Sequence, residues 1–208
     1  MKAILTLLAC CLAWSATAQK TQAFTLDDTL RGSITPERAW WNLTFYELSV
    51  HVNPGKKFIE GQNVIHYKVL NANNVLQVDL QPPLVLEKAV QDGQELVFEK
   101  KGHNAYFIHL TAPQKPGTQK SLTVNYSGQP RVAKNAPWDG GFSWSKDKLG
   151  KPFAATSCQG LGASVWWPNK DHAYDEPDSM AIAVTVPDTL MNVSNGRLRK
   201  VTANGDGT

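Results

Sequence analysis

Short segments with alternating apolar and polar residues are the feature of this sequence that most restricts its fold. In the clearest of them, from Tyr46 to Val52, every second residue is apolar. A period of two places the apolar residues on one face of a half-buried strand. Further strands are predicted on the same grounds at residues 59–69, 76–80, 85–90, 95–98, 106–110, 122–126 and 180–186.

Turn-forming residues separate these segments. Asp92-Gly93 predicts a tight hairpin turn, because glycine accepts the positive φ that such turns require. Asn195-Gly196 predicts another hairpin turn, before a strand-like segment at Arg197–Thr202. No helical pattern is evident after the first eighteen residues. Many short strands between turns favour an all-β domain, a two-sheet β-sandwich-like fold.

The two ends of the chain suggest how it is organised. Residues 1–18 have a positive start, an apolar core and an Ala-Thr-Ala site before Gln19, which is typical of a secretory signal peptide. We therefore expect a periplasmic or extracellular protein with no transmembrane span; a lipoprotein signal at Cys10 is the second interpretation. Residues 19–36 are interpreted as a polar leader and residues 37–208 as one β-rich domain. Because a turn at 204–208 has no return strand, we expect the sequence to be truncated within a hairpin.

Charge and cysteine content exclude several functions. The formal net charge of +3 is too small to indicate nucleic-acid binding. After the predicted signal peptide only Cys158 remains, so no internal disulfide is expected. We interpret Cys158 as a small buried apolar residue rather than a nucleophile, because nothing near it in sequence would lower its pKa.

The segment from Asn135 to Asp178, here called the Trp-rich segment, is the candidate functional region. It is long and irregular, and such loops are usually functional or packed by their own side chains. Its acidic residues and histidine could bind a metal, although we favour a role in capping turns and pairing with Lys170 because no known ligand spacing is present. These residues are Asp171, His172, Asp175, Glu176 and Asp178.

Aromatic residues in the same segment could instead form a sugar-stacking platform. The alternative, which we favour, is that the large rings pack the loop against the sheets. The residues concerned are Trp138, Phe142, Trp144, Trp166 and Trp167.

Gln159 is the other residue of interest in this segment. It begins the run Gln159-Gly160-Leu161-Gly162, in which few side chains would obstruct a ligand, and these four residues are the predicted substrate-binding residues. The Gln159 carbonyl oxygen can accept a hydrogen bond from an ammonium group, although a loop glutamine taken alone is more often structural. The sequence contains neither H-E-x-x-H nor G-x-S-x-G, so we expect no catalytic and no metal-binding residues in this segment.

Several of these motifs together resemble the N-terminal domain of the aminopeptidase N family, the gluzincin zinc aminopeptidases that include leukotriene hydrolase-like members. The motifs are Gln81-Pro82-Pro83, NAPWDGGFSW at 135–144, SCQGLGASVWWPNKDHAYDEPDSM at 157–180 and AIAVTVP at 181–187. The resemblance covers nearly all of residues 38–208 and is greatest to secreted bacterial members. The chain departs from the family at Asn169, where a cysteine is common, and at Ser164-Val165, near which an arginine is usual.

The resemblance implies a saddle-shaped β-domain that packs on a C-terminal, thermolysin-like catalytic domain. It also implies that Gln159, nine residues before Pro168, takes the position of the residue that binds the free α-amine of peptide substrates. The parent protein would be an exported zinc metallo-aminopeptidase, with its zinc ligands outside this segment, and this domain would form one wall of the substrate pocket. The segment alone would be inactive.

Two other functions remain open. One is a stand-alone secreted β-sandwich that binds carbohydrate or peptide through the Trp-rich segment. The other is a family member whose catalytic half has lost its zinc ligands.

Overall fold

Strands make up most of the regular structure of this protein. The computed structural model describes residues 23–208, and 43% strand against 8% helix confirms the predicted all-β class. The predicted signal peptide, residues 1–18, lies outside the described residues. No helix in residues 23–208 is long and apolar enough to cross a membrane.

The strands form three sheets. The largest has six strands in the order β11-β1-β2-β8-β4-β5, the second has three in the order β3-β7-β6, and β9 and β10 form a hairpin. All neighbours are antiparallel except β1 and β11. The strands are β1 (Trp41–Asn53), β2 (Phe58–Val69), β3 (Val75–Asp79), β4 (Val85–Gln91), β5 (Gln94–Glu95), β6 (Val97–Lys101), β7 (Ala105–His109), β8 (Gln119–Gly128), β9 (Gly141–Lys146), β10 (Pro152–Ser157) and β11 (Ser179–Thr185).

One core joins the six-stranded and three-stranded sheets. Leu48 of β1 and Ile65 of β2 are fully buried in the same cluster as Leu76 of β3 and Ile108 of β7. These residues belong to the alternating patterns, so the apolar faces of the two sheets meet as the period predicts. The two-sheet, sandwich-like arrangement is thereby confirmed.

The predicted turn at Asp92-Gly93 is confirmed. It joins β4 to β5, and both residues have positive φ, 51° and 79°. This combination is that of a type I′ turn, whose twist matches the twist of the strands it joins.

The expectation that no helix follows the signal peptide is wrong. Helix α1 spans Leu26–Gly32 within the predicted leader, and helix α2 spans Pro36–Ala39. Thr25 and Asp28 form a capping box at the start of α1: Thr25 Oγ1 accepts from the Asp28 N–H, and Asp28 Oδ2 accepts from the Thr25 N–H. This T-x-x-D pattern was the sequence signal for the helix.

Two further predictions are wrong. The Trp-rich segment is not irregular throughout, since it contains the β9–β10 hairpin. Conversely, Asn195-Gly196 does not begin a hairpin and Arg197–Thr202 is not a strand. Instead, the start and the end of the exposed segment after β11 are joined by a hydrogen bond from the Asp188 N–H to the Gly207 carbonyl, 2.8 Å long.

Candidate functional site

Gln159 lies in a tight turn directly after β10, here called the Gln159 turn (residues 158–162). The Cys158 carbonyl accepts hydrogen bonds from the N–H groups of Leu161 (3.1 Å) and Gly162 (2.9 Å). Gly160 has φ 72°, as the third residue of a type II turn requires. The Gln159 side chain is exposed at the second position of this turn.

Side chains from distant parts of the chain hold the backbone of this turn. Arg31 of α1 donates to the Gly160 carbonyl at 2.7 Å, and Gln81 Nε2 donates to the Leu161 carbonyl at 2.6 Å. Gln81 Nε2 also donates to Ser164 Oγ at 2.9 Å. Gly160, Leu161 and Gly162, three of the four predicted site residues, are thus held by hydrogen bonds to their backbone. The side chain of Gln159 is exposed to solvent.

Gly162 is required at the end of the turn for two reasons. Its φ of 81° is one that side chains disfavour. A Cβ at this position would also overlap the Asp171 carboxylate. That carboxylate accepts a hydrogen bond from Ser164 Oγ at 2.5 Å, and Gly162 packs directly against it.

The chain following the turn is anchored to both sheets. Asp79 of β3 and Asn169 exchange backbone hydrogen bonds of 2.8 and 3.1 Å. Asn63 Nδ2 of β2 donates to the Pro168 carbonyl at 2.9 Å. The Lys170 N–H donates to the Tyr46 hydroxyl of β1, also at 2.9 Å. Asn169 is thus anchored through its backbone, and its side-chain Nδ2 donates to the Trp167 carbonyl at 2.9 Å.

A buried ion pair connects this anchor to the N-terminal helices. Arg38 Nη2 lies 2.6 Å from Asp79 Oδ2, and both residues are buried. The same carboxylate oxygen accepts from the Asp171 N–H at 3.2 Å. Burial raises the pKa of Asp79, and the Arg38 guanidinium opposes that rise. Arg38 donates from both terminal nitrogens, Nη1 to backbone carbonyls and Nη2 to Asp79, and this pairing makes the burial of both charges tolerable. Its Nε has no hydrogen-bond partner among residues 23–208.

The candidate metal ligands are not brought together. Asp171 binds Ser164 and Asp175 binds Lys170 at 2.5 Å, while Nε2 of His172 lies 3.2 Å from the Gly32 carbonyl. Within residues 23–208, no three or more His, Cys, Asp or Glu side chains are arranged to hold a metal ion. The described residues therefore do not fit a zinc ion. The expected pairing of acids with Lys170 is confirmed for Asp175.

Most rings of the candidate sugar platform are packed inside the domain. Phe142 stacks on Trp144 with centroids 4.7 Å apart, and Trp167 meets Tyr46 edge-on at 4.9 Å. Phe142 and Trp167 belong to the core, and Trp144 and Trp166 pack against it. Only Trp138, 81% exposed, presents a free ring. The packing interpretation is therefore confirmed for four of the five rings.

Cys158 is not the buried residue we expected, because it is exposed next to Gln159. Partial burial of its thiol nevertheless raises the pKa of Cys158. A raised pKa means less thiolate at neutral pH, so the site has no activated cysteine nucleophile.

The family described as the Peptidase M1 N-terminal domain matches residues 43–208. The chain belongs to this family. No curated protein matches it at a significant level. The family match covers the Gln159 turn and its anchors, but α1 and α2 lie before it.

Solved structures share the fold of this M1 N-terminal domain. An M1 zinc metallopeptidase mutant from Deinococcus radiodurans, bound to a Tyr-Ser-Ala substrate, aligns with TM-score 0.62 and 20% identity over 85% of this chain and 40% of its own. Yeast LTA4 hydrolase in complex with bestatin aligns with TM-score 0.58 and 16% identity over 79% and 27%. The chain thus spans well under half the length of these structures.

Sequence reasoning missed the residues that hold the Gln159 turn. Arg31, Arg38 and Asp79 lie 80 or more residues before Gln159, and no motif links them to it. Gln81 was noticed only as part of a family motif. A long-range hydrogen bond leaves no periodic pattern in a single sequence.

Proposed function

We propose that this domain belongs to an exported zinc metallo-aminopeptidase and that Gln159 binds the free α-ammonium group of peptide substrates. Membership of the M1 peptidase family supports the first part. The observation that carries the second is the exposed Gln159 side chain on a turn in which the carbonyls of Cys158, Gly160 and Leu161 all accept hydrogen bonds.

A neutral amide suits this role. Its carbonyl oxygen can accept from an ammonium group, and it introduces no permanent charge that would need to be desolvated. Because the backbone of the turn is held at Gly160 and Leu161, the point from which the Gln159 side chain extends is fixed, and less backbone entropy is lost when substrate binds. Fixed recognition of the amine would make the parent enzyme selective for chain ends.

The remaining parts of the proposal concern the parent protein. This domain would form one wall of the substrate pocket and pack on a C-terminal catalytic domain. Residues other than those described here would hold the zinc, and zinc would there polarise the peptide carbonyl and activate water. The domain alone would be inactive. Export would remove residues 1–18, and intact-mass measurement of the exported protein should show a chain that begins at Gln19.

Substitution of Gln159 in the full-length parent tests the amine contact. Hydrogen bonds to charged groups contribute about 1.5–3 kcal/mol, so Gln159→Ala should lower kcat/KM roughly ten- to a hundredfold. Gln159→Glu should keep activity, because a carboxylate accepts from the same ammonium. Melting temperatures should not change, since the side chain is exposed.

Gln94→Ala on edge strand β5 is the matched control, an exposed glutamine outside the turn. If Gln159→Ala lowers the melting temperature while the folded protein turns over substrate as wild type, Gln159 is a packing residue and the proposal fails.

A further inference from the structure

Helix α1 lies outside the family match and yet contacts the Gln159 turn directly. The match begins at residue 43, whereas α1 ends at Gly32. Arg31, in the last turn of α1, donates to the Gly160 carbonyl at 2.7 Å. A guanidinium–carbonyl bond of this length is charge-assisted and stronger than a neutral one. The contact joins residues 129 positions apart in the sequence.

The end of α1 is itself firmly placed. Arg38 Nη1 donates to the carbonyls of Leu30 (2.7 Å), Arg31 (3.3 Å) and Ser33 (3.0 Å), and Gln77 Nε2 donates to that of Leu30 at 3.1 Å. These are carbonyls that a helix end leaves without intrahelical partners. Because Arg38 also pairs with Asp79, the helix end is connected to the strand that anchors Asn169.

Three further contacts secure α1 from other directions. The Tyr174 N–H donates to His172 Nδ1 at 3.2 Å, so the ring proton is on Nε2, which can donate to the Gly32 carbonyl. At the other end of the helix, Asp27 Oδ1 accepts from the His103 N–H at 2.6 Å. Leu30 is buried against Ala105 and Phe107. The helix is thus held along its length and presents Arg31 to the turn.

We propose that α1 is a brace that fixes the Gln159 turn, with Arg31 as its positioning residue and Arg38 as the residue that holds the brace on the sheet. The brace lies before the residues that the family match covers, and its mechanical role stands apart from the proposed function. Its catalytic consequence, placement of the Gln159 amide, rests on that function.

Amide hydrogen exchange in the full chain tests the brace directly. The Leu161 and Gly162 amides, both bonded to the Cys158 carbonyl, report opening of the turn. Arg31→Ala should speed their exchange roughly tenfold, the lower end of what a hydrogen bond to a charged group contributes, because this contact is exposed to solvent, while β2 and β8 amides exchange as in wild type. Arg31→Lys should recover part of the protection, because an ammonium can still donate. Arg199→Ala, at an exposed arginine in the segment after β11, is the matched control.

A second variant separates a brace from a local contact. Asp27→Ala loosens the far end of α1 without touching the turn, and it should also speed exchange at Leu161 and Gly162. If neither Arg31→Ala nor Asp27→Ala changes that exchange, or if only Arg31→Ala does, α1 is not a brace.

Kinetics of the full-length parent then separate this inference from the proposed function. Arg31→Ala should lower kcat/KM severalfold for substrates with a free N-terminus, and Arg31→Lys should partly restore it. Faster exchange with unchanged kcat/KM would leave the brace standing and overturn its catalytic consequence, whereas Gln159→Ala decides the role of Gln159 itself. Unchanged exchange would overturn the brace whatever the kinetics.

Discussion

At the residue scale, the fold depends on buried charges that are individually paired. Lys170 is 4% exposed, and its Nζ lies 2.5 Å from Asp175 Oδ2 and 3.9 Å from the centre of the Trp41 ring. Burial lowers the pKa of Lys170 to about 8, although Asp175 acts in the opposite direction. Removing one member of such a pair leaves the other as an uncompensated buried charge.

This shift predicts how stability depends on pH. Between pH 8 and 10 the unfolded chain keeps the Lys170 proton, whereas the folded chain releases it. The unfolded state therefore binds more protons, and this group makes the folded state more stable as pH rises through that window. In urea unfolding, the free energy of unfolding of the wild type should rise by up to about 1 kcal/mol per pH unit relative to that of Lys170→Met. At pH 7 the variant should be less stable by about 3 kcal/mol. A stability difference that stays constant from pH 8 to 10 would refute the shift.

At the element scale, two buried tyrosines on different strands differ in whether their hydroxyl has a hydrogen-bond partner. The Tyr46 hydroxyl of β1 accepts from the Lys170 N–H at 2.9 Å. The Tyr126 hydroxyl of β8 is buried and has no hydrogen-bond partner among residues 23–208. Burial raises the pKa of both, so both are neutral at any ordinary pH.

The two tyrosines form a matched pair for substitution. Tyr126→Phe removes an unsatisfied hydroxyl and should raise the free energy of unfolding by about 1 kcal/mol, whereas Tyr46→Phe leaves a buried N–H unpaired and should lower it by about 1–3 kcal/mol. Chemical denaturation of the two variants measures both effects. Equal losses in both would mean that the Tyr126 hydroxyl has a partner after all.

Period-two patterns located most of the strands, because each buries one face against the other sheet. The β9–β10 hairpin was missed although Phe142 and Trp144 alternate with serines in β9, because β10 shows no such alternation: its central residues, Ala154 and Ala155, are small and adjacent. Helix α1 was missed because seven residues give little periodicity, and tertiary contacts of Leu30 and Arg38 hold it in place. Gln159 could be named as a candidate only through family resemblance; the residues that fix its turn required coordinates.

At the scale of the whole molecule, the chain corresponds to part of a larger architecture. It spans 40% of the Deinococcus metallopeptidase chain and 27% of the yeast hydrolase chain. Its described residues provide the Gln159 turn and the supports of that turn, but no group of metal ligands.

The chain by itself should therefore lack peptidase activity. We expect it to bind zinc no more tightly than micromolar, because residues 23–208 contain no set of converging ligands that would offset the desolvation of the ion. Equilibrium dialysis with zinc and an assay with an aminoacyl anilide measure both properties. Stoichiometric tight zinc, or hydrolysis that a chelator abolishes, would contradict a purely supporting role.

Recognition of the substrate amine by the Gln159 amide can be tested with a double-mutant-type cycle, in which one change is made in the protein and the other in the substrate. In the full-length parent, kcat/KM is measured for wild type and Gln159→Ala, each with a peptide that has a free N-terminus and with its des-amino analogue. We expect Gln159→Ala to lower kcat/KM roughly ten- to a hundredfold with the free amine and to change it very little with the analogue, because the lost contact is specific to the ammonium. Equal losses with both substrates would contradict it.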